Sequence, residues 1–347
     1  MTALTPDALV HVALIEVALF GVLAVLALAA RERAEFRRSR SVRRIGHLQD
    51  GLVSGSARAV HAFGRLPRSQ QPGAAAMLAR NLSGAERRRI AGWAETSGLL
   101  GRAERWSASR RWHRRLRGVR LFTALAVGAD QVLPRLADGD ARVRVAATQL
   151  AVELAQELGD AELERLTGLL GDRDPGVRFA AGDALCRLAQ RAVRPIADVL
   201  ADPAAGGPLL RSALQVAVVV VDPAYLSSAL RLSAHPDPDV RRGAVPVLSH
   251  LGGGEASSRL AVLLDDVDAG VRAASAEGLG RLGRWQSAAA LGRGLRDPSW
   301  DVRRASGLAL LRLFEPGELV LLRALHDHDK FAADMARLAL SSRDGHV

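Results

Sequence analysis

Apolar residues recur through the C-terminal two-thirds of the chain in one fixed helical phase. Counting from Val177, the residues Ala180, Ala181, Ala184, Leu185 and Leu188 follow at +3, +4, +7, +8 and +11. Val302 is followed at the same offsets by Ala305, Ser306, Ala309, Leu310 and Leu313, and Val143 by Ala146, Ala147, Leu150, Ala151 and Leu154. Residues so spaced share one face of an α-helix, so each run predicts an amphipathic helix. The small residues at +3 and +4 let a neighbouring helix approach closely, which predicts stacking. The dipeptides Val143-Arg144, Val177-Arg178, Val240-Arg241, Val271-Arg272 and Val302-Arg303 open these runs, with Arg spacings of 34, 63, 31 and 31. Leu210-Arg211 fills the long gap, with Ala213, Leu214, Ala217, Val218 and Val221 in phase. The Val218–Val221 run favours strand by propensity, but the period of the longer window predicts helix. A seventh, degenerate run starts at Ala332 and continues through Met335, Ala336, Ala339 and Leu340.

Ahead of these helices the pattern Leu-x-Asp-x-Asp recurs: Leu136-Asp138-Asp140, Leu170-Asp172-Asp174, Leu264-Asp266-Asp268 and Leu325-Asp327-Asp329, with Leu295-Asp297-Ser299 as a Ser variant. The second Asp, or the Ser, is a helix N-cap, and Pro175 suits a first helical turn. Shorter helices are predicted before the Leu, over 160–170, 223–232 and 287–295. The unit is therefore helix, Asp-rich turn, helix, in 30–34 residues, and a self-similar period of that length predicts a solenoid. Leu-x-Asp-x-Asp-x-x-Val-Arg followed by an Ala-rich helix resembles the HEAT repeat, in the short form also seen in relatives of the phycobilisome bilin lyases. The resemblance covers residues 110–343 and implies an all-α, armadillo-like HEAT solenoid. It also implies a ladder between adjacent repeats, with Asp140, Asp174 and Asp268 as turn carboxylates and Arg144, Arg178, Arg211, Arg241, Arg272 and Arg303 at the matching helix position. That ladder is structural and is not a site.

The N-terminus has a different character. Leu9 to Ala30 is apolar apart from His11 and Glu16. At about 1.5 Å per residue it spans roughly 33 Å, enough to cross a bilayer. Arg31, Arg33, Arg37, Arg38, Arg40, Arg43 and Arg44 follow, and no basic side chain precedes it. This predicts one transmembrane anchor over 9–30, with the N-terminus outside and the repeat body in the cytoplasm. Ala27-Leu28-Ala29 has the form of a signal-peptidase site, but a basic leader is absent and the Arg block lies on the wrong side of the apolar run. Glu16 lies near the bilayer midplane. It is either a protonated carboxyl tolerated there or a polar contact to another membrane subunit.

Residues 31–109 form a basic segment between anchor and repeats. The net charge of +11 is concentrated there: from Arg31 to Arg120 there are 22 Arg and 6 acidic residues, whereas from Leu121 onward acidic residues exceed basic ones by three. The segment predicts a short helix over 48–63, a loop around 69–73 and a helix start at Ser83, with Glu86 completing a capping box. Trp93, Trp106 and Trp112 alternate with Arg clusters. Such a segment suits either an anionic lipid surface, with Arg31 to Arg44 nearest it, or an N-terminal cap on the first repeat. The near-neutral repeat array disfavours nucleic acid as its partner.

No catalytic constellation emerges. There is no Walker loop, nucleophile elbow or dinucleotide fingerprint, and no His-Glu pair of the kind that iron-dependent HEAT-like hydroxylases use. The acidic pairs recur with the structural period, which identifies them as turn caps. His326, Asp327, His328 and Asp329 form the one metal-like cluster, but it occupies a turn and predicts a solvated one. Cys186, the single cysteine, excludes a disulfide framework and falls in an apolar stripe, where a buried structural thiol is predicted. Trp285 and Trp300 stand at inter-helix turns. No catalytic, cofactor or metal residue is assigned. These features together predict a membrane-tethered, bacterial-type interaction scaffold whose partner is a membrane-associated protein such as a glycosyltransferase or a transporter. A bilin-lyase-like or other ligand-handling enzyme, and a membrane-recruited nucleic-acid binder, are the alternatives.

Overall fold

The structure is a computed structural model that describes Phe63 and residues 65–79, 82 and 84–344. The anchor over 9–30 with Glu16, the Arg31–Arg44 block, the helix expected over 48–62 and the Ser83 cap lie outside the described residues. Among the described residues every regular element is helical, and no helix is long and apolar enough to cross a membrane.

Two compact bodies divide these residues. One comprises the chain up to Trp106 together with 120–127, and the other comprises 107–119 and everything from Gly128 onward. In the first, α1 (Gln71–Ala79), α2 (Gly84–Thr96) and α3 (Leu99–Ser107) precede the last turns of α4 (Trp112–Leu125). The loop expected around 69–73 is shorter than the sequence suggested. The helix starts at Gln71, because Pro72 fits a first turn and Gln71 anchors its side chain on the Leu66 carbonyl at 3.1 Å. Trp93 is buried and meets Phe63 edge-on, with ring centroids 3.8 Å apart. Arg87 donates from Nε to the Ala124 carbonyl at 2.8 Å and from Nη2 to that of Thr123. This basic residue therefore satisfies the open carbonyls at a helix C-terminus.

The second body is the repeat array. Its helix pairs, among the described residues, are α5 (Val132–Leu136) with α6 (Ala141–Glu153), α7 (Asp160–Gly168) with α8 (Pro175–Leu188), α9 (Val193–Ala201) with α10 (Gly207–Val219), α11 (Leu226–Leu232) with α12 (Pro238–Leu251), α13 (Gly253–Leu263) with α14 (Ala269–Leu282), α15 (Ala288–Gly294) with α16 (Trp300–Arg312), and α17 (Glu315–Ala324) with α18 (Lys330–Asp344). The second helix of each pair stacks on the second helix of the next. The stripe positions form the core: Val143, Val177, Leu210, Val240, Val271 and Val302 are buried, as are Ala147, Ala181, Leu214, Ala244, Ser275 and Ser306. One stripe ends early. Helix α10 stops at Val219, and Val221, just ahead of Asp222-Pro223, is 49% exposed.

Most of the long helices are capped by an Asp of their own turn. The Asp140 side chain accepts the Arg142 N–H at 3.0 Å, Asp174 accepts those of Gly176 and Val177 at 2.8 and 3.1 Å, Asp268 that of Val271 at 3.0 Å, and Asp329 that of Phe331 at 2.9 Å. Ser299 holds the cap position of α16 but makes no side-chain cap bond. The first Asp of each turn accepts the N–H two residues on, as Asp172 does from Asp174 and Asp266 from Asp268, both at 2.9 Å. This Asx turn fixes the corner between the paired helices.

Candidate docking groove

The groove arises from a fault in the Arg ladder. In a regular repeat the Arg after the Val does two things. Its Nη1 donates back to the carbonyl six residues earlier: Arg144 to Asp138, Arg178 to Asp172, Arg241 to His235, Arg272 to Asp266 and Arg303 to Asp297, at 2.7–3.0 Å. That anchor turns Nε and Nη2 toward the next repeat. There Arg241 grips Asp266 through both nitrogens at 2.8 and 2.7 Å, Arg272 grips Asp297 at 2.7 and 2.9 Å, and Arg144 reaches Asp172 at 2.8 Å. The acceptor is thus the first Asp of the next turn. The cap residues Asp140, Asp174 and Asp268 do not take the rung; their side chains turn to the helix N-termini.

Arg115 is a rung that the sequence pattern hid. It anchors on the Ser109 carbonyl, six residues back, at 3.1 Å and grips Asp138 at 2.7 Å through both Nε and Nη2. Ser109 stands where the other turns carry Asp, and Arg114 where they carry Val. The rung therefore read as part of a basic cluster. Burial pushes the Asp138, Asp172, Asp266 and Asp297 carboxyls up. The Arg hydrogen bond, the turn N–H and the nearby guanidinium charges outweigh that and hold each one below the usual carboxylate range. Their side chains are 3–10% exposed, so they are charge-assisted pairs largely screened from water.

Three junctions depart from the rule. Turn 235–237 carries His235 in the rung position, and its Nδ1 accepts the Asp237 N–H at 3.0 Å. Arg211 turns instead to the cap residue Asp237 at 3.0 Å and to Asp239 at 3.8 Å. The contact passes over Gly207, where a Cβ would sit 2.8 Å from Asp237 Oδ2. At the far end Arg296 occupies Asp327, and Arg303 packs its guanidinium 4.9 Å from the Phe331 ring centre. Within the His326–Asp329 cluster Asp327 is thus taken up by pairing and Asp329 by capping, and no group of side chains suited to a metal occurs among the described residues.

Arg178 is the third departure. Its Nη1 keeps the Asp172 and Arg173 carbonyls at 2.9 and 3.2 Å. The next turn, however, is three residues longer than its neighbours: Asp172 precedes Arg178 by six residues, whereas Asp202 precedes Arg211 by nine. Asp202 is exposed and accepts the Ala204 N–H of its own turn at 2.8 Å. Among the described residues Arg178 has no carboxylate within ion-pair reach.

Here α8 and α10 pack less closely than the other consecutive long helices, and a groove of about 880 Å³ lies between them. Pro175, Arg178, Phe179, Gly182, Asp183 and Cys186 form one wall, while Arg211, Gln215 and Val219 belong to the other and Asp239 and Arg242 close one end. Phe179 is 79% exposed and Val219 65%, an apolar surface beside an unpaired cation. Cys186 lines this wall and is only partly buried, in place of the fully buried thiol the stripe predicted. Burial, and then the Asp183 charge, push its pKa up, so it is no activated nucleophile. The buried Tyr225 hydroxyl is raised to about 12 by burial, Asp222 and Cys186, which keeps it neutral. Sequence reasoning missed the groove because its position depends on an inter-helix distance. The signal available was the exposed Phe179 beside a longer turn. Trp285 and Trp300, 66% and 53% exposed, lie elsewhere, at the turns where they were expected.

Comparison with known proteins gives a family match over the C-terminal repeats. Residues 256–341 match the family described as HEAT repeats. No curated protein matches the chain. Among solved structures, YibA of Escherichia coli is 16% identical, with 71% of this chain and 96% of that one covered at a TM-score of 0.43. An engineered protein is 17% identical over 85% of this chain and 88% of its own, at 0.38. Kap121p is 14% identical over 79% of this chain and 41% of its own, at 0.42. The described body is a solenoid of stacked helical pairs, and its C-terminal repeats match the HEAT family.

Proposed function

We propose that this protein is a non-enzymatic scaffold, tethered to a membrane by residues 9–30, whose repeat array holds a protein partner in the α8–α10 groove. The groove carries the reading. It joins an unpaired guanidinium to exposed apolar side chains in a concavity about as large as a short peptide segment requires. Stacked repeats present extended concave surfaces of this kind, and fold alone does not assign an activity. The apolar run and the Arg block after it support a single-pass anchor with the repeats on the cytoplasmic side. Glu16 supports a partner that is itself embedded in the membrane, such as a transporter or a glycosyltransferase, and Arg31 to Arg44 would rest on anionic headgroups.

The test is cross-linking and co-purification of the full chain from membranes in mild detergent, compared with Gln215→Trp, which fills the groove from an exposed position. A protein that cross-links to groove residues in the wild type and is lost in Gln215→Trp supports the reading. A partner retained by Gln215→Trp moves the docking surface elsewhere. A reporter after Val347 that lies outside the cytoplasm overturns the orientation.

A further inference from the structure

We propose that Arg178 is a ladder rung completed by the partner: the groove receives an extended peptide segment in which an Asp or Glu side chain pairs with the Arg178 guanidinium and a neighbouring apolar side chain covers Phe179 and Val219. The inference rests on the scaffold reading and adds the chemistry of what the groove recognises.

Arg115, Arg241 and Arg272 anchor Nη1 on their own turn and give Nε and Nη2 to one carboxylate, all at 2.7–2.9 Å. Arg178 has the same anchor and no carboxylate at its fork. The fold has therefore already placed a planar, two-pronged donor, and a bidentate carboxylate is the group that matches it. Arg303, the other Arg without a carboxylate, stacks on Phe331. Arg178 has neither a ring nor an ion-paired acid as a substitute among the described residues; its charge acts on Asp172 from beyond ion-pair distance. The neighbouring cations do not compete for the same ligand: Arg242 is held by Asp239 at 2.6 Å and Arg211 by Asp237 at 3.0 Å.

Dimensions favour an extended segment. Pro175 to Cys186 spans eleven residues of helix, roughly 16 Å at 1.5 Å each, which is about five residues of extended chain. Phe179 and Val219 supply the apolar surface and Arg178 the charge, all on the lining of one groove. Asp183, exposed on the same wall, disfavours a second acid farther along. The preferred sequence is thus one acidic residue with an apolar neighbour, in place of an acidic run.

The experiment uses full-length protein in detergent against an array of immobilised pentapeptides. Each Asp or Glu peptide is matched with its Asn or Gln counterpart, so the decisive change lies in the probe and leaves the fold untouched. The wild type is expected to retain peptides with one acid beside an apolar residue, to lose about tenfold or more on Asp→Asn, and to bind no acidic peptide above background once it carries Gln215→Trp. Arg178→Gln should abolish the Asp-over-Asn preference, and Arg304→Gln, outside the groove, should preserve it. Equal binding of acid and amide peptides, or no peptide retained by the wild type, overturns the proposal. A membrane partner lost with Gln215→Trp yet unaffected by Arg178→Gln also overturns it, while leaving the scaffold reading intact.

Discussion

The C-terminal repeats and the α8–α10 junction are built from the same unit and packed to opposite ends. Between α14 and α16 the backbones nearly touch: a Cβ on Gly280 would lie 2.7 Å from Ala309 Cα. A Cβ on Gly294 would lie 2.2 Å from Ser306 Oγ, and one on Gly317 1.8 Å from the Leu310 carbonyl oxygen. At the open junction a Cβ on Gly182 would meet Leu170 and Val216 at 3.8 Å, an ordinary contact. Glycine thus has two meanings in one repeat array. In the C-terminal region it permits an approach that no other residue allows. At the junction it leaves room. The closely packed region is also where the chain matches the HEAT family, residues 256–341, because regular packing imposes a regular sequence.

Gly317→Ala is the severest break of that contrast. Its methyl group cannot coexist with a backbone carbonyl at 1.8 Å, so α17 must move off α16. The expected loss is about 3 kcal/mol or more, read as a lower thermal midpoint. An unchanged midpoint would show that the two helices are not packed as described.

The rungs give the next effect. Asp266→Ala leaves the Arg241 guanidinium, in a side chain 12% exposed, without its carboxylate. The cost is expected at about 1–3 kcal/mol in chemical denaturation. Asp202→Ala, on the longer turn, should cost about 0.5 kcal/mol or less, as exposed substitutions do. Equal losses would remove the distinction between a paired and an unpaired junction. The same rungs set the acid response. Asp138, Asp172, Asp266 and Asp297 have depressed pKa values when folded. Their contribution is therefore complete above the unfolded carboxylate value near pH 4 and is lost as pH falls below it. Thermal midpoints should decline below about pH 4, and the decline should be shallower in Asp266→Asn. A parallel decline in that variant would show that the rung is not the source.

How much of this was legible follows from what each feature depends on. The long helices were legible because Val, Ala and Leu repeat at 3.6-residue spacing, and the caps because Asp precedes most of the runs. The rung acceptor was not. Asp138 and Asp140, or Asp266 and Asp268, are equivalent to a periodic reading, and only the direction of each side chain tells the cap from the rung. Arg115 stayed hidden because Arg114 and Ser109 replace the Val and Asp that mark its relatives. The junction left a trace in the nine residues from Asp202 to Arg211, against six in the other turns, but a turn length does not reveal which helices part, and so the groove could be found only in three dimensions.

Gly182→Ala is the mildest change and the most discriminating one. Gly182 lies inside α8, where a methyl group would make only ordinary contacts, so alanine gains helix propensity and lowers the entropy of the unfolded chain without a clash. The expected outcome is a gain of about 0.5–1 kcal/mol, opposite in sign to Gly317→Ala. The methyl group points toward Leu170 and Val216 and leaves the Arg178 fork clear. Stability should therefore rise while the preference for acidic over amide peptides is retained. A loss of stability from this one methyl group would mean that α8 and α10 close together in solution, and with no space between them the groove could not receive a peptide at all.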